Sequence, residues 1–137
     1  MGNKDQKFKY LHILEENMAV TSIMTTEAAI KAKAGANVSA ALTDTDYDAW
    51  VLQAESKVNI IARYNYSDGY AALNADVKHL MGDIVSSLVA MQAVAYDMSG
   101  YASRAEAEDI INVQNDNAKV GTSLLRDKKV QTFINGA

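Results

Sequence analysis

The sequence predicts an all-α fold. We read it as a small helical bundle of three main helices, with an N-terminal helical extension, a polar loop or arm, and a C-terminal tail. Three observations predict this. Apolar residues recur every three or four positions in three long windows, the spacing that gathers one helical face. Each window opens on a residue whose short side chain can accept a backbone N–H. The 137 residues include no proline, so no ring breaks a helix.

The elements follow in order, with division at 1–45 (extension and arm), 46–127 (helical core) and 128–137 (tail). Phe8, Leu11, Leu14 and Met18 have helical spacing in the extension. Thr26 can cap a second short helix, with Glu27 in its first turn, and Gly35 stops it. Residues 35–43 are small and polar without a period, which reads as a loop or extended arm. Thr45 or Asp46 then caps a helix to about Tyr64, its stripe running Tyr47, Trp50, Val51, Ala54, Val58, Ile61 and Ala62. Trp50 is expected in its core. Asn65, Ser67, Asp68 and Gly69 make a turn. Asn74 caps the longest helix, with Val77, Leu80, Met81, Ile84, Leu88, Met91, Val94 or Ala95, and Met98 on one stripe, and Gly100 ends it. Ser103 and Glu106 have capping-box spacing before a third helix that carries Ala107, Ile110, Ile111, Gln114, Ala118, Gly121, Leu124 and Leu125. Val130, Thr132 and Ile134 alternate loosely, as in a short strand or an arm.

The longest helix is also apolar off its stripe, at Val85, Val89, Ala90, Ala93 and Val94. A helix apolar on most sides is buried on most sides. Either its own domain wraps it or neighbouring copies shield it, and periodicity does not separate the two.

Composition sets exclusions. Without cysteine there are no disulfides, thiolate metal sites or cysteine nucleophiles. Net charge -4 is a poor match for a protein that grips phosphate backbones by charge. No apolar run reaches membrane-span length and the polar start has no signal-peptide core, so we expect a soluble, intracellular-type domain.

Chemistry-bearing motifs are few. His12 and His79 have no ligand partner at helical spacing and read as exposed helix residues. There is no phosphate loop and no nucleophile elbow. Asp44, Asp46, Asp48 and Glu55 sit at calcium-loop positions one, three, five and twelve, but Ala49 stands where the loop turns on glycine. The same residues make a good acidic helix start. Tyr64, Tyr66 and Tyr70 around Arg63 could stack bases, but equally suit a helix corner or a protein interface. Arg126, Lys128 and Lys129 suit a helix C-terminus.

The chain carries longer patterns. They are the run from Thr25 to Val38, the run from Trp50 to Tyr66, Leu73-Asn-Ala-Asp-Val-Lys, Ala95 to Asp109, and Leu124 to Asn135. Together they resemble the small adaptor proteins of the tailed-bacteriophage head-to-tail connector. The resemblance covers roughly residues 25–137. It implies a virion structural protein without catalysis or cofactor. It implies a homo-oligomeric ring, a dodecamer by analogy, that binds portal protein above and a stopper or tail protein below. DNA would pass the lumen without specific binding, and no membrane is involved. Such adaptors make contacts through arms and tails, which here points to Gly35, Asn37, Ser39 and Thr43 of the loop and Lys128, Lys129, Val130, Phe133 and Ile134 of the tail. Two other readings stand beside it. One is a small helical scaffold or regulatory bundle that binds a partner helix. The other, ranked last, is a metal protein or enzyme using the Asp44–Glu55 set.

Overall fold

The computed structural model describes residues 23–134, so the predicted helix at Phe8–Met18 and His12 lie outside the described residues. Among the described residues there are five α-helices and no strand. They are α1 (Glu27–Ala34), α2 (Asp44–Ala62), α3 (Ala75–Tyr96), α4 (Arg104–Arg126) and α5 (Lys128–Ile134), with a 3-10 turn at Tyr70–Ala72. The all-α expectation holds.

Side-chain caps set the helix starts. Thr26 accepts the Ala29 N–H, Asn74 accepts the Asp76 N–H, and Ser103 accepts the Glu106 N–H. The Glu106 carboxylate accepts the Ala102 N–H, one residue earlier than a standard capping box. Gly35 closes α1 at φ 91, a conformation that favours glycine. Three boundaries differ from expectation. The cap of α2 is Thr43, not Thr45 or Asp46, because Thr43 and Asp46 bond reciprocally. The end of α3 is Tyr96, not Gly100, because the Asp97 carboxylate takes the Ser99 N–H and hydroxyl and turns the chain. The tail is helical, not a strand or arm. Asp127 accepts the Lys129 and Val130 N–H groups, which starts α5.

Helices α2, α3 and α4 run up, down and up. The pairing of α3 with α4 is the most extensive, followed by α3 with α2 and with α1. Helix α1 lies across α3 between the other two. Its Lys31 stands 5.7 Å over the Tyr47 ring of α2, while Lys33 reaches Asp83 of α3. This arrangement decides the burial of α3. Val85, Val89, Ala90, Ala93 and Val94 are all fully buried. The chain therefore wraps α3 itself, and the alternative that neighbouring copies must shield it is removed; at 22 residues α3 is one shorter than α4, so it is not the longest helix that the sequence predicts. Gly121 lets α4 close onto α3, since a Cβ there would stand 2.3 Å from Ile84 Cγ1.

Two stripe residues sit elsewhere than expected. Trp50 is half-buried at the core's rim, its ring 6.1 Å from both Tyr47 and Tyr96. Leu124 is 43% exposed, while Leu125 beside it is fully buried.

Candidate docking surfaces

Polar clusters are the first place to look for chemistry. The largest joins α1, α3 and α4. Lys33 Nζ donates to the Asp83 carboxylate at 2.6 Å, to the Asp83 carbonyl at 2.7 Å and to Ser87 Oγ at 2.8 Å. Ser87 Oγ donates to Gln114 at 3.0 Å and accepts from Asn117, which also bonds the other Asp83 oxygen. A serine beside a lysine is the raw material of a nucleophile–base pair. Here it does not serve as one. Lys33 Nζ is engaged by the Asp83 carboxylate and carbonyl, and Ser87 is fully buried with its oxygen committed to three partners. The cluster works as a cross-brace.

Burial pushes the Asp83 carboxyl up, but hydrogen bonds from Lys33 and Asn117 outweigh it and hold the group below the ordinary aspartate value. A carboxylate depressed in the folded state stabilises the fold above its unfolded pKa. That contribution is lost as pH falls through the folded value. Thermal stability should therefore drop below about pH 4. Asp83→Asn should flatten part of that slope in melts taken from pH 5 to pH 2. Glu27, Asp46 and Asp97 are also depressed and add to the slope, while Asp44, raised by its hydrogen bond with Glu27, opposes it.

The acidic set from Asp44 to Glu55 does not form a calcium loop. It lies within α2, where successive residues turn around the helix axis. Asp46 is spent on the Thr43 cap, and Glu55 points inward, 5% exposed, accepting the Ile23 and Met24 N–H groups at 2.9 Å each. No group of three metal-ligating side chains exists among the described residues. His79 is exposed on α3. The tyrosine cluster is a corner. Tyr66 is buried against Tyr64 at 4.7 Å between ring centroids, and the Tyr70 hydroxyl donates to the Lys78 carbonyl.

The predicted interface residues fall into two groups. Gly35, Asn37, Ser39 and Thr43 lie in a tied loop, not an extended arm. Val38 and Leu42 tuck against the core, and Ser39 accepts the Ala41 and Leu42 N–H groups. The loop packs on the α3–α4 corner. The Asn37 carbonyl sits so close to Gly100 that a Cβ there would stand at 2.7 Å, and the Tyr101 hydroxyl donates to the Ala34 carbonyl at 2.7 Å. Asn37 itself is exposed, and so is Thr43.

The tail group belongs to α5. Its root is Gln131, whose amide donates to the Leu125 carbonyl at 2.8 Å and the Ala62 carbonyl at 3.4 Å, so α5 joins the ends of α4 and α2. Val130 packs on the core, Lys128 and Lys129 are exposed, Phe133 is 57% exposed, and Ile134 is the last helical residue. The structure does not bring the two groups together. The loop sits at the end where α2 and α4 begin, and α5 sits where they finish.

Sequence reasoning missed the exposed apolar residues Leu52, Ile60, Val113 and Val120. Val113 and Val120 recur at seven residues, off the stripe of α4, and that spacing was the available signal. No described helix is long and apolar enough to cross a membrane. No family model, curated protein or solved structure matches this chain.

Proposed function

We propose that this chain is a structural adaptor of a tailed-phage head-to-tail connector. In this reading it is a virion protein that docks on the portal ring and passes the contact to a stopper or tail protein. The reading starts from the sequence resemblance. The observation that carries it further is the placement of the two predicted contact segments at opposite ends of one bundle, each rooted on the core. A part that joins a ring above to a protein below needs two separate faces held at a fixed distance. The net charge of -4 suits a lumen that DNA crosses without being held.

A second reading has one observation in its favour. Lys33, Glu106, Asp109, Ile110 and Val113 line an open groove between α1 and α4 that could take a partner helix. That reading gives a discrete low-order complex, whereas the adaptor gives a ring.

Mixing the chain with purified portal rings distinguishes them. Native mass spectrometry and particle imaging should find many copies in a layer on one face of the portal. Portal rings that stay bare in excess chain would end the adaptor reading.

A further inference from the structure

Three cations share one pocket at the end of the bundle where α2 and α4 finish. Arg63 follows α2, Arg126 ends α4 and Lys128 opens α5. With Ile61 and Gln131 they line a recess of about 300 Å³. Gln131 builds it. Its amide donates to the Ala62 and Leu125 carbonyls, the residues directly before Arg63 and Arg126. One side chain therefore holds two helix ends so that both arginines border the same recess. Among the described residues no carboxylate lines it, and none of the three cations makes an ion pair or a side-chain hydrogen bond. The surrounding segments, 56–69 and 119–134, carry Lys57, Arg63, Lys119, Arg126, Lys128 and Lys129 against Asp68 and Asp127. Asp127 is spent on the Lys129 and Val130 N–H groups, and Asp68 does not line the pocket.

Helix-end chemistry does not account for these cations. Basic side chains favour helix C-termini because the last carbonyls lack partners. Here those carbonyls have partners. Asn59 and Ile60 accept the Arg63 and Tyr64 N–H groups, Leu124 accepts the Asp127 N–H, and Gln131 takes Ala62 and Leu125. Lys128 is not at a C-terminus, since it opens α5. Arg63 stands at φ 56 and ψ 37, in the left-handed region, and among the described residues it is the one non-glycine residue with positive φ. Glycine would serve there without strain, as it does at Gly35 and Gly69. The guanidinium of Arg63 is thus held at the pocket at a cost in backbone strain, a cost that gathers at ligand sites.

We propose that this pocket binds the carboxylates of an acidic segment of a partner protein. Two guanidinium forks and an ammonium group match oxyanions, and arginine is the residue that holds carboxylates at interfaces. Nucleic acid is the poorer fit. It offers phosphates in a row, whereas these cations gather in one recess on a chain of net charge -4. The recess is at the small end of ligand sites, which suits a few acidic side chains and not a folded element. The pocket stands on its own residues. That the acidic segment belongs to a neighbour in the connector rests on the adaptor reading.

The probe is hexaglutamate capped at both ends, titrated into the isotope-labelled full chain and followed by NMR. Shifts should centre on the amides of Arg63, Arg126 and Lys128 and on the Gln131 side chain, and saturate below about 1 mM peptide. Arg63→Gly should weaken binding about tenfold, as expected for one lost charge-assisted contact. The same variant should raise the melting temperature, because glycine relieves the left-handed residue. A stronger fold with a weaker site separates binding from structure. Arg126→Gln should weaken binding by a similar factor, and Lys119→Gln, outside the pocket on α4, should leave it unchanged. Several results would overturn the proposal. One is an absence of saturable shifts at the pocket. Another is full affinity in Arg63→Gly. A loss from Lys119→Gln equal to that from Arg126→Gln would mean diffuse attraction by charge. Hexathymidylate bound as tightly as hexaglutamate would make this a phosphate site. Portal rings coated by a chain that ignores hexaglutamate would sink this inference and leave the adaptor reading intact. Saturable binding at the pocket with bare portals would do the reverse.

Discussion

Gly121→Val should be the most damaging single substitution on the surface between α3 and α4. The two helices close most tightly there, and even a Cβ would stand 2.3 Å from Ile84 Cγ1 and 2.8 Å from its Cδ1. Ile84 is fully buried, so its side chain has nowhere to swing. Overpacking of this kind costs about 1–3 kcal/mol, and the two further methyl groups of valine put the expected loss at or above the top of that range. Gly121→Ala separates two effects. Alanine favours the helix by about 1 kcal/mol over glycine, yet the clash should win and the net change should still be destabilising. A double-mutant cycle gives the mechanism. Ile84→Ala alone should cost about 2–5 kcal/mol through its cavity. Combined with Gly121→Ala, the added methyl enters that space, so the pair should cost less than the sum by about 1 kcal/mol or more. Additive losses in chemical denaturation would mean that the glycine is not there for close approach.

What the sequence could disclose follows from the range of the forces involved. Caps at Thr26, Asn74 and Ser103 were legible because each bond spans two or three residues and the residue type declares it. Thr43 was hidden because Thr45 and Asp46 are equally good caps by type, and the reciprocal Thr43–Asp46 bonds decide among them only in three dimensions. The start of α5 had a local signal in Asp127, overshadowed by the alternation of Val130, Thr132 and Ile134. The covering of α3 was not legible. Apolar residues around a whole helix specify burial without saying by what, and the answer lies in α1, which joins α3 across about fifty residues of sequence through Lys33 and Asp83. The two contact segments were legible as composition, but their placement at opposite ends needed Gln131 and Tyr101, whose partners are carbonyls that no residue type marks. Leu52 and Ile60 on α2 were missed because exposed leucine and isoleucine look the same in sequence as core residues, whereas Val113 and Val120 were marked by their spacing off the α4 stripe.

Glu55 makes the second large prediction, and it was equally invisible. A carboxylate in the middle of α2 reads as a solvated face, yet this one is 5% exposed. One oxygen accepts the backbone N–H groups of Ile23 and Met24, more than thirty residues away. Met24 is itself buried against the core. Glu55→Ala removes the acceptor and leaves the donors unpaired at about 1–3 kcal/mol for each fully desolvated group, with a cavity besides. Ile23 is partly exposed and can turn to water, so the expected loss is about 2–4 kcal/mol. Glu55→Gln keeps an oxygen in place and gives up the charge, and should lose only about 1 kcal/mol. The location of the damage matters more than its size. Amide exchange at Met24 should be slow in the parent chain and fast in Glu55→Ala, while exchange in the middle of α3 changes only as far as global stability does. The carboxylate would then be a latch that fixes where the segment before α1 joins the bundle. Equal acceleration everywhere would instead make Glu55 an ordinary core residue, with no special hold on Ile23 and Met24.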